Sequence, residues 1–391
     1  MLGVVSLAQF LGMTLWFSAT AVTPLLVREF DMPSSHAAWL TMAVQAGFVA
    51  GTLVSALGNL ADILNPRTLM FVGALAGAAA NAAVIVAPGS LSVIALRFLT
   101  GAALALVYPP GMKIAAGWFR ERRGFALGLL IGALTLGKAF PHLLTALFGS
   151  NWQQPMLLAS ALAASGGLLV LAVVRDGPYV AATAPFDPHA IRKILASRGA
   201  RLATFGYLGH MWELYAMWTW IAVFAAASFT ASGLTNASAA ASVAAFLAIG
   251  SGAAGCGLAG YLADRFGKAR IAMWAMLASA ACAGLTIVTF GGSPFWLYAL
   301  VMVWGFAVVA DSAQFSALVS EHAPKEHIGT ALTLQTCVGF LLTMVTIELL
   351  PRLANSVGWQ WASLLLVPGP LLGAWAMARL GLTPSKDLRG V

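Results

Sequence analysis

Two short stretches concentrate side-chain chemistry in an otherwise oily chain. GHMWELYAMWTW, Gly209 to Trp220, holds His210 and Glu213 three residues apart among tryptophans and methionines; GALTLGKAFPH, Gly132 to His142, holds Lys138 and His142 four apart. Residues three and four apart share one side of a helix. His210, Glu213, Met217 and Trp220 therefore make one stripe. Thr135, Lys138 and His142 make another, where Pro141 is expected to bend the helix. A carboxyl beside an imidazole can carry a proton, a lysine can hold an anion, and His210, Met211, Glu213 and Met217 could together ligate a soft metal ion. Elsewhere Arg97 shares a side with Gly101, Leu104 and Tyr108, Asp311 precedes Gln314, and Gln335 lies between Thr333 and Thr336.

The elements that position these groups follow from composition. Of 391 residues, 60% are hydrophobic and 9% charged, against about 25% charged in a soluble domain. The apolar runs reach the roughly 20 residues that cross a bilayer. They are continuous rather than alternating, unlike the strands of a lipid-facing β-barrel. The 40 glycines suit helices packed closely in lipid. The sequence predicts an all-α membrane protein with 12 transmembrane helices, near 3–27, 37–57, 68–87, 91–118, 124–147, 154–174, 201–228, 237–259, 270–290, 295–319, 328–350 and 359–379. The polar stretch 175–200 reads as a cytoplasmic linker between an N-terminal six-helix bundle over 1–174 and a C-terminal one over 201–391 that ends in a short cytoplasmic tail. The first span lacks the basic flank of a signal peptide and reads as retained; its abrupt start suggests that a native leader is missing.

Loop charges set the orientation. Arg67, Arg120, Arg122, Arg123, Arg175, Arg192, Lys193, Arg198, Arg265, Lys268, Arg270, Lys325, Lys386 and Arg389 fall on one side, and Arg28 and Arg352 on the other. Both termini and the linker are expected in the cytoplasm, with the protein in a cell inner membrane. The net charge of +8 is this topology signal, and no basic soluble domain exists to bind nucleic acid. Cys256, Cys282 and Cys337 form no CxxC pair and read as packing residues.

Charges placed inside such spans cost about 2.5–3.5 kcal/mol each and mark functional positions. These are Arg97, Lys138, Glu213 and Asp311, with His142 and His210 beside them; Lys113 lies near a span end and can snorkel to water. Two arrangements stay open for Glu213. It either faces a wet cavity, or it is a static buried group, paired with His210 or locked to Lys138 or Arg97 as a strut. Trp212, Trp218 and Trp220 lie nearer mid-span than an interfacial belt requires, and one or more of them is a candidate cavity wall.

The two halves also repeat. GNLADILNPR begins at Gly58 and GYLADRFGKAR at Gly260, each after the second span of its half; GFALGLL from Gly124 is echoed by GTALTLQ from Gly329. The loops resemble the signature of the major facilitator superfamily, roughly G-x-L-A-D-R-x-G-R-K. The second copy carries Gly260, Leu262, Ala263, Asp264, Arg265, Gly267 and Lys268; the first keeps Gly58, Leu60, Ala61, Asp62 and Arg67 but departs at Ile63, Asn65 and Pro66. Arg97 and Gly101 in RFLTG are similar to the family's R-x-x-x-G motif. GLLIGALTLGKAFP is only loosely similar to the family's drug/proton antiporter pattern, because it has no Gly-Pro pair and Lys138 intrudes.

The resemblance covers essentially the whole chain. It implies two parallel-related six-helix bundles, a substrate site between them near mid-membrane, and gating loops at Gly58, Asp62, Arg67, Gly260, Asp264, Arg265 and Lys268. The combined expectation is a secondary transporter, not an enzyme, moving a small anionic solute by alternating access with proton coupling. The substrate and proton residues expected are Glu213, His210, Lys138, Arg97, His142, Trp220, Tyr108, Asp311 and Gln335. No P-loop for ATP is present, no cofactor or bound metal is expected, and a monomer in the lipid bilayer is the default. The alternatives are a metal-ion importer using the seventh span and a non-transporting receptor or assembly protein on the same fold.

Overall fold

The computed structural model describes residues 1–119, 123–179 and 187–382, with the side chains of 34, 61, 62 and 123–125 outside that description. Arg120, Arg122, Lys386 and Arg389 lie outside the described residues. Lipid offers a backbone no hydrogen bonds, so each spanning segment closes its own as a helix. Eleven helices among the described residues are long and apolar enough to cross a membrane, from Ser35–Leu57 to Trp359–Gly381, and they fall within a few residues of the second to twelfth expected spans. Pro66 and Pro294 open two of them, where a missing N–H leaves nothing unpaired. Gly267 and Gly358, at φ 89° and 85°, end two others.

The first expected span, 3–27, is not one helix. It is broken into Leu2–Met13, Ser18–Ala21 and Thr23–Glu29. Phe17 and Val22 leave helical dihedrals (ψ 15° and 18°), and Pro24 cannot continue the hydrogen-bond ladder. The Thr14 hydroxyl turns to the carbonyl of Ala159 at 3.1 Å. The fourth and tenth spans are each interrupted as well, as Ser90–Leu104 with Tyr108–Trp118 and Pro294–Ala310 with Ser312–His322.

Glycine contacts repeat through the chain with one offset. Gly101 backs onto the carbonyl oxygen of Val44, where a Cβ would stand at 1.9 Å; 204 residues on, Gly305 backs onto Ala248 in the same way, at 1.6 Å. Gly51 against Ala102 and Gly255 against Phe306 repeat this at 2.7 and 2.2 Å. The second expected span thus crosses the fourth as the eighth crosses the tenth. Only glycine lets two helix backbones come so near.

The halves meet where Arg123–Phe148 packs on Ala237–Phe266 and Ser34–Leu57 on Ile328–Val357. The outer surface is apolar, with Val86, Leu91, Val288, Phe295 and Leu372 well exposed, while Arg97, Lys138, His142, His210, Glu213 and Asp311 are all buried. That inversion is the arrangement lipid imposes on intramembrane charge.

Candidate functional site

The seventh span, Arg198–Ala231, presents two chemically different sides. His210, Glu213, Met217 and Trp220 do share a side, but it faces the interior of the C-terminal helices. His210 Nδ1 lies 2.8 Å from Asp311 Oδ1 as an ion pair when the ring is protonated; its N–H is not aligned as a hydrogen bond. Glu213 Oε1 accepts from Ser279 Oγ at 2.8 Å and from Trp304 Nε1 at 2.7 Å. Met217, Trp220 and Trp304 line a narrow crevice of about 10 Å³, room for about one water, with Trp359 and Leu366. Trp220 Nε1 donates to the Ile347 carbonyl.

Tyr215 and Trp218 emerge from the opposite side of the same helix, because two residues turn it by about 200°. They meet Lys138 from the fifth span. Lys138 Nζ donates to Tyr215 Oη at 2.6 Å and lies over the rings of Trp16, Tyr215 and Trp218, at 4.2, 5.0 and 5.4 Å from their centroids. A desolvated ammonium gains on the order of 2 kcal/mol from such a ring face. The alternative of a strut from Lys138 to Glu213 does not form: the seventh helix carries Glu213 on one side and Tyr215, the partner of Lys138, on the other. His142, one turn beyond Lys138, is fully buried, with both ring nitrogens unpartnered among the described residues and its ring 6.5 Å from Phe17.

Arg97 does not reach Glu213 either, and it shares no hydrogen-bond partner with Lys138. It is fully buried, and all five of its N–H donors are engaged inside the N-terminal helices. Nη2 binds the carbonyls of Leu15 and Trp16 at 3.0 and 2.7 Å, Nη1 binds Asn81 Oδ1 and Ser18 Oγ at 2.6 and 3.1 Å, and Nε reaches the Leu40 carbonyl at 3.4 Å. Two of these acceptors are carbonyls freed by the break in the first span. Arg97 thereby fixes the backbone of Trp16, whose ring lies beneath Lys138.

The remaining expected positions divide. Tyr108 stacks on Phe48 at 6.3 Å, beside the junction of the halves. Gln335 is buried with Nε2 unpartnered among the described residues. Three groups that the sequence did not single out also belong to this region. Trp16 floors the lysine site, and Gln45 accepts from Thr343 across the halves at 2.5 Å. The break after Met13 that presents Trp16 has a sequence signal, Pro24, but Pro24 marks the end of the irregular stretch and not its start.

At the loops, Arg67 pairs with Asp176 (3.1 Å) and binds the Val174 carbonyl (2.8 Å), tying the first signature loop to the start of the linker. Lys268 pairs with Glu321 at 2.6 Å, tying the second loop to the end of Ser312–His322. Arg265 lies over the Tyr261 ring at 4.5 Å, and Asp264 is exposed. The side chain of Asp62 lies outside the described residues. The paired glycines are not equivalent: Gly58 ends a helix ahead of left-handed Asn59, whereas Gly260 stays inside Ala237–Phe266 with open space around it.

A family model described as Major Facilitator Superfamily matches residues 5–347 and 237–390. The chain belongs to the Major Facilitator Superfamily. Superfamily membership makes it a membrane transporter and not an enzyme. Among solved structures, the crystal structure of the nucleoside transporter NupG, in a mutant form, superposes with a TM-score of 0.72 over 97% of this chain and 99% of its own, at 15% identity. At that identity the likeness is one of fold, and the superfamily fold extends over nearly the whole chain.

Proposed function

We propose that this superfamily member moves a small anionic solute held at Lys138 and couples the movement to protons through Glu213, with the His210–Asp311 pair beside it. One observation carries the reading. Lys138 is a buried cation where the two halves meet, and its neighbours are a phenol and indole rings instead of a carboxylate. Arg97, the other buried Lys or Arg among the described residues, has its donors taken. An anion therefore meets one available charge in a dry setting, where charge-assisted bonds are strong.

The broken first span completes twelve crossings in two six-helix bundles, and the glycine contacts repeated at 204 residues support their relation. In this reading the units are 1–174 and 201–391, joined by the linker 175–200, and the protein works as a monomer. The exposed pairs Arg67–Asp176 and Lys268–Glu321 hold the loops in one state. Pairs of that kind contribute about 0–1 kcal/mol, weak enough to exchange as the bundles rock. The loop charges put both termini and the linker in the cytoplasm, with the protein in an inner membrane. A reporter fused after residue 185 is then active inside the cell and one near Ser232 outside; the reverse result would remove the orientation.

The substrate reading is tested by a solute screen on purified protein, since a bound solute raises the melting temperature with its concentration over Kd. The stabilising solutes are expected to be anions, and Lys138→Gln to weaken them at least tenfold while Lys138→Arg retains most of the response. A neutral or cationic solute that stabilises wild type and Lys138→Gln equally would falsify the anion reading.

A further inference from the structure

We infer that the solute taken at Lys138 is a monovalent anion with a flat π-faced body, an aromatic or heteroaromatic monocarboxylate. This rests on the anion reading of the same site and narrows it.

The charge count comes first. Lys138 is the one buried cation at the junction of the halves among the described residues, because Arg97 spends every donor on Leu15, Trp16, Ser18, Asn81 and Leu40. A second carboxylate on the solute would find no second cation, and a buried unpaired charge is costly. The uncommitted groups nearby include donors: the indole N–H groups of Trp16 and Trp218 are buried without a hydrogen-bond partner among the described residues, and His142, one turn from Lys138 and likewise unpartnered there, offers a ring N–H as well as an acceptor nitrogen. Lys138 itself spends one of its three N–H donors on Tyr215. Such a set suits the oxygens of one carboxylate.

The shape comes from the walls. Trp16, Phe17 and Phe48 of the N-terminal half meet Tyr215, Trp218 and Phe340 of the C-terminal half ring to ring. Trp16 lies 5.8 Å from Tyr215 and 5.6 Å from Phe340, Phe17 lies 6.0 Å from Trp218, and Phe48 lies 5.1 Å from Phe340. These are distances at which aromatic pairs attract beyond simple burial. When the halves part, those ring pairs lose their partners. A planar π system can stand in for the missing ring on both sides at once, while its carboxylate sits on Lys138. A saturated ring of similar size offers no π face, so the closed state loses that stacking.

The experiment compares benzoate, cyclohexanecarboxylate, terephthalate and benzamide as stabilisers of the purified full chain. In wild type, benzoate is expected to bind at least tenfold tighter than each of the others. Trp218→Leu should bring benzoate and cyclohexanecarboxylate to within about twofold. Lys138→Gln should remove the preference for benzoate over benzamide, and the ligand-free melting curve shows that each variant is folded. A Lys138-dependent response that is equal for benzoate and cyclohexanecarboxylate, or strongest for terephthalate, overturns the flat monoanion and leaves the anion reading standing. Equal binding of benzamide and benzoate in wild type overturns both, whereas a lack of any stabilisation by benzoate at millimolar concentration overturns the flat monoanion alone and leaves the anion reading to the wider solute screen.

Discussion

Glu213→Gln is expected to abolish uphill accumulation while leaving exchange of the solute across the membrane intact. In proteoliposomes with a gradient of one pH unit, a carrier that moves one proton per solute can reach about tenfold accumulation, since one pH unit is worth 1.36 kcal/mol. The variant should stop at equal concentrations on both sides and show a flat pH profile for uptake. The geometry explains why the substitution is mild for the fold. Ser279 and Trp304 both donate to Oε1 of Glu213, and the amide oxygen of glutamine can accept from the same two groups. What disappears is the ability to take up and release a proton.

Coupling does not need a bond between Glu213 and Lys138. The seventh helix carries Glu213 on one side and Tyr215, the partner of Lys138, two residues on. A movement of that helix on solute binding therefore alters both environments together. Glu213→Ala combined with Lys138→Ala should remain uncoupled, whereas a simple strut would recover once both partners are gone. Uphill transport by Glu213→Gln with an unchanged pH profile would return Glu213 to a purely structural role.

The second large effect is expected at Arg97, and it is a loss of stability. Lysine has three donors and cannot replace the planar fork, so Arg97→Lys loses at least two of the five hydrogen bonds, and the Trp16 carbonyl depends on Arg97 most, since Ser18 Oγ also serves the Leu15 carbonyl and Asn81 Oδ1. At about 1–3 kcal/mol for an unsatisfied buried group, the substitution should cost roughly 1–3 kcal/mol and lower the melting temperature in detergent. Anion affinity should fall through displacement of Trp16, which Arg97 holds by its carbonyl. A variant that melts like wild type but has lost anion binding would instead place Arg97 in direct contact with the solute.

These effects show where the sequence was legible. Helical periodicity put His210, Glu213, Met217 and Trp220 on one side, and they are on one side. Periodicity carries no information about which neighbour that side meets, and the stripe faces Ser279, Asp311 and Trp304 instead of Lys138. The length and apolarity of the spans were readable because lipid demands both. The broken first span was not, since its run stays apolar throughout and the partner that makes the break tolerable, Arg97, lies some 80 residues away. The loop motifs disclosed a repeat, but the glycine contacts define it better: backbone approach is more exacting than loop charge, so Gly101 and Gly305 keep one offset where Gly58 and Gly260 have drifted into different local structure.

The dependence of the first span on Arg97 also bears on how the protein is made. The Trp16 carbonyl leaves the ribosome long before the guanidinium that satisfies it, and hydrocarbon offers it nothing in the interval, whereas the Leu15 carbonyl already has the Ser18 hydroxyl. The first segment therefore has to wait in a wet or protein-lined environment, such as the flank of the insertion machinery, until the fourth span arrives. Arg97 faces the reciprocal problem, since its own passage into lipid is costly until those acceptors are in place. The two segments are thus expected to enter the bilayer together as one assembled unit, a cooperative step in biogenesis written into a single arginine.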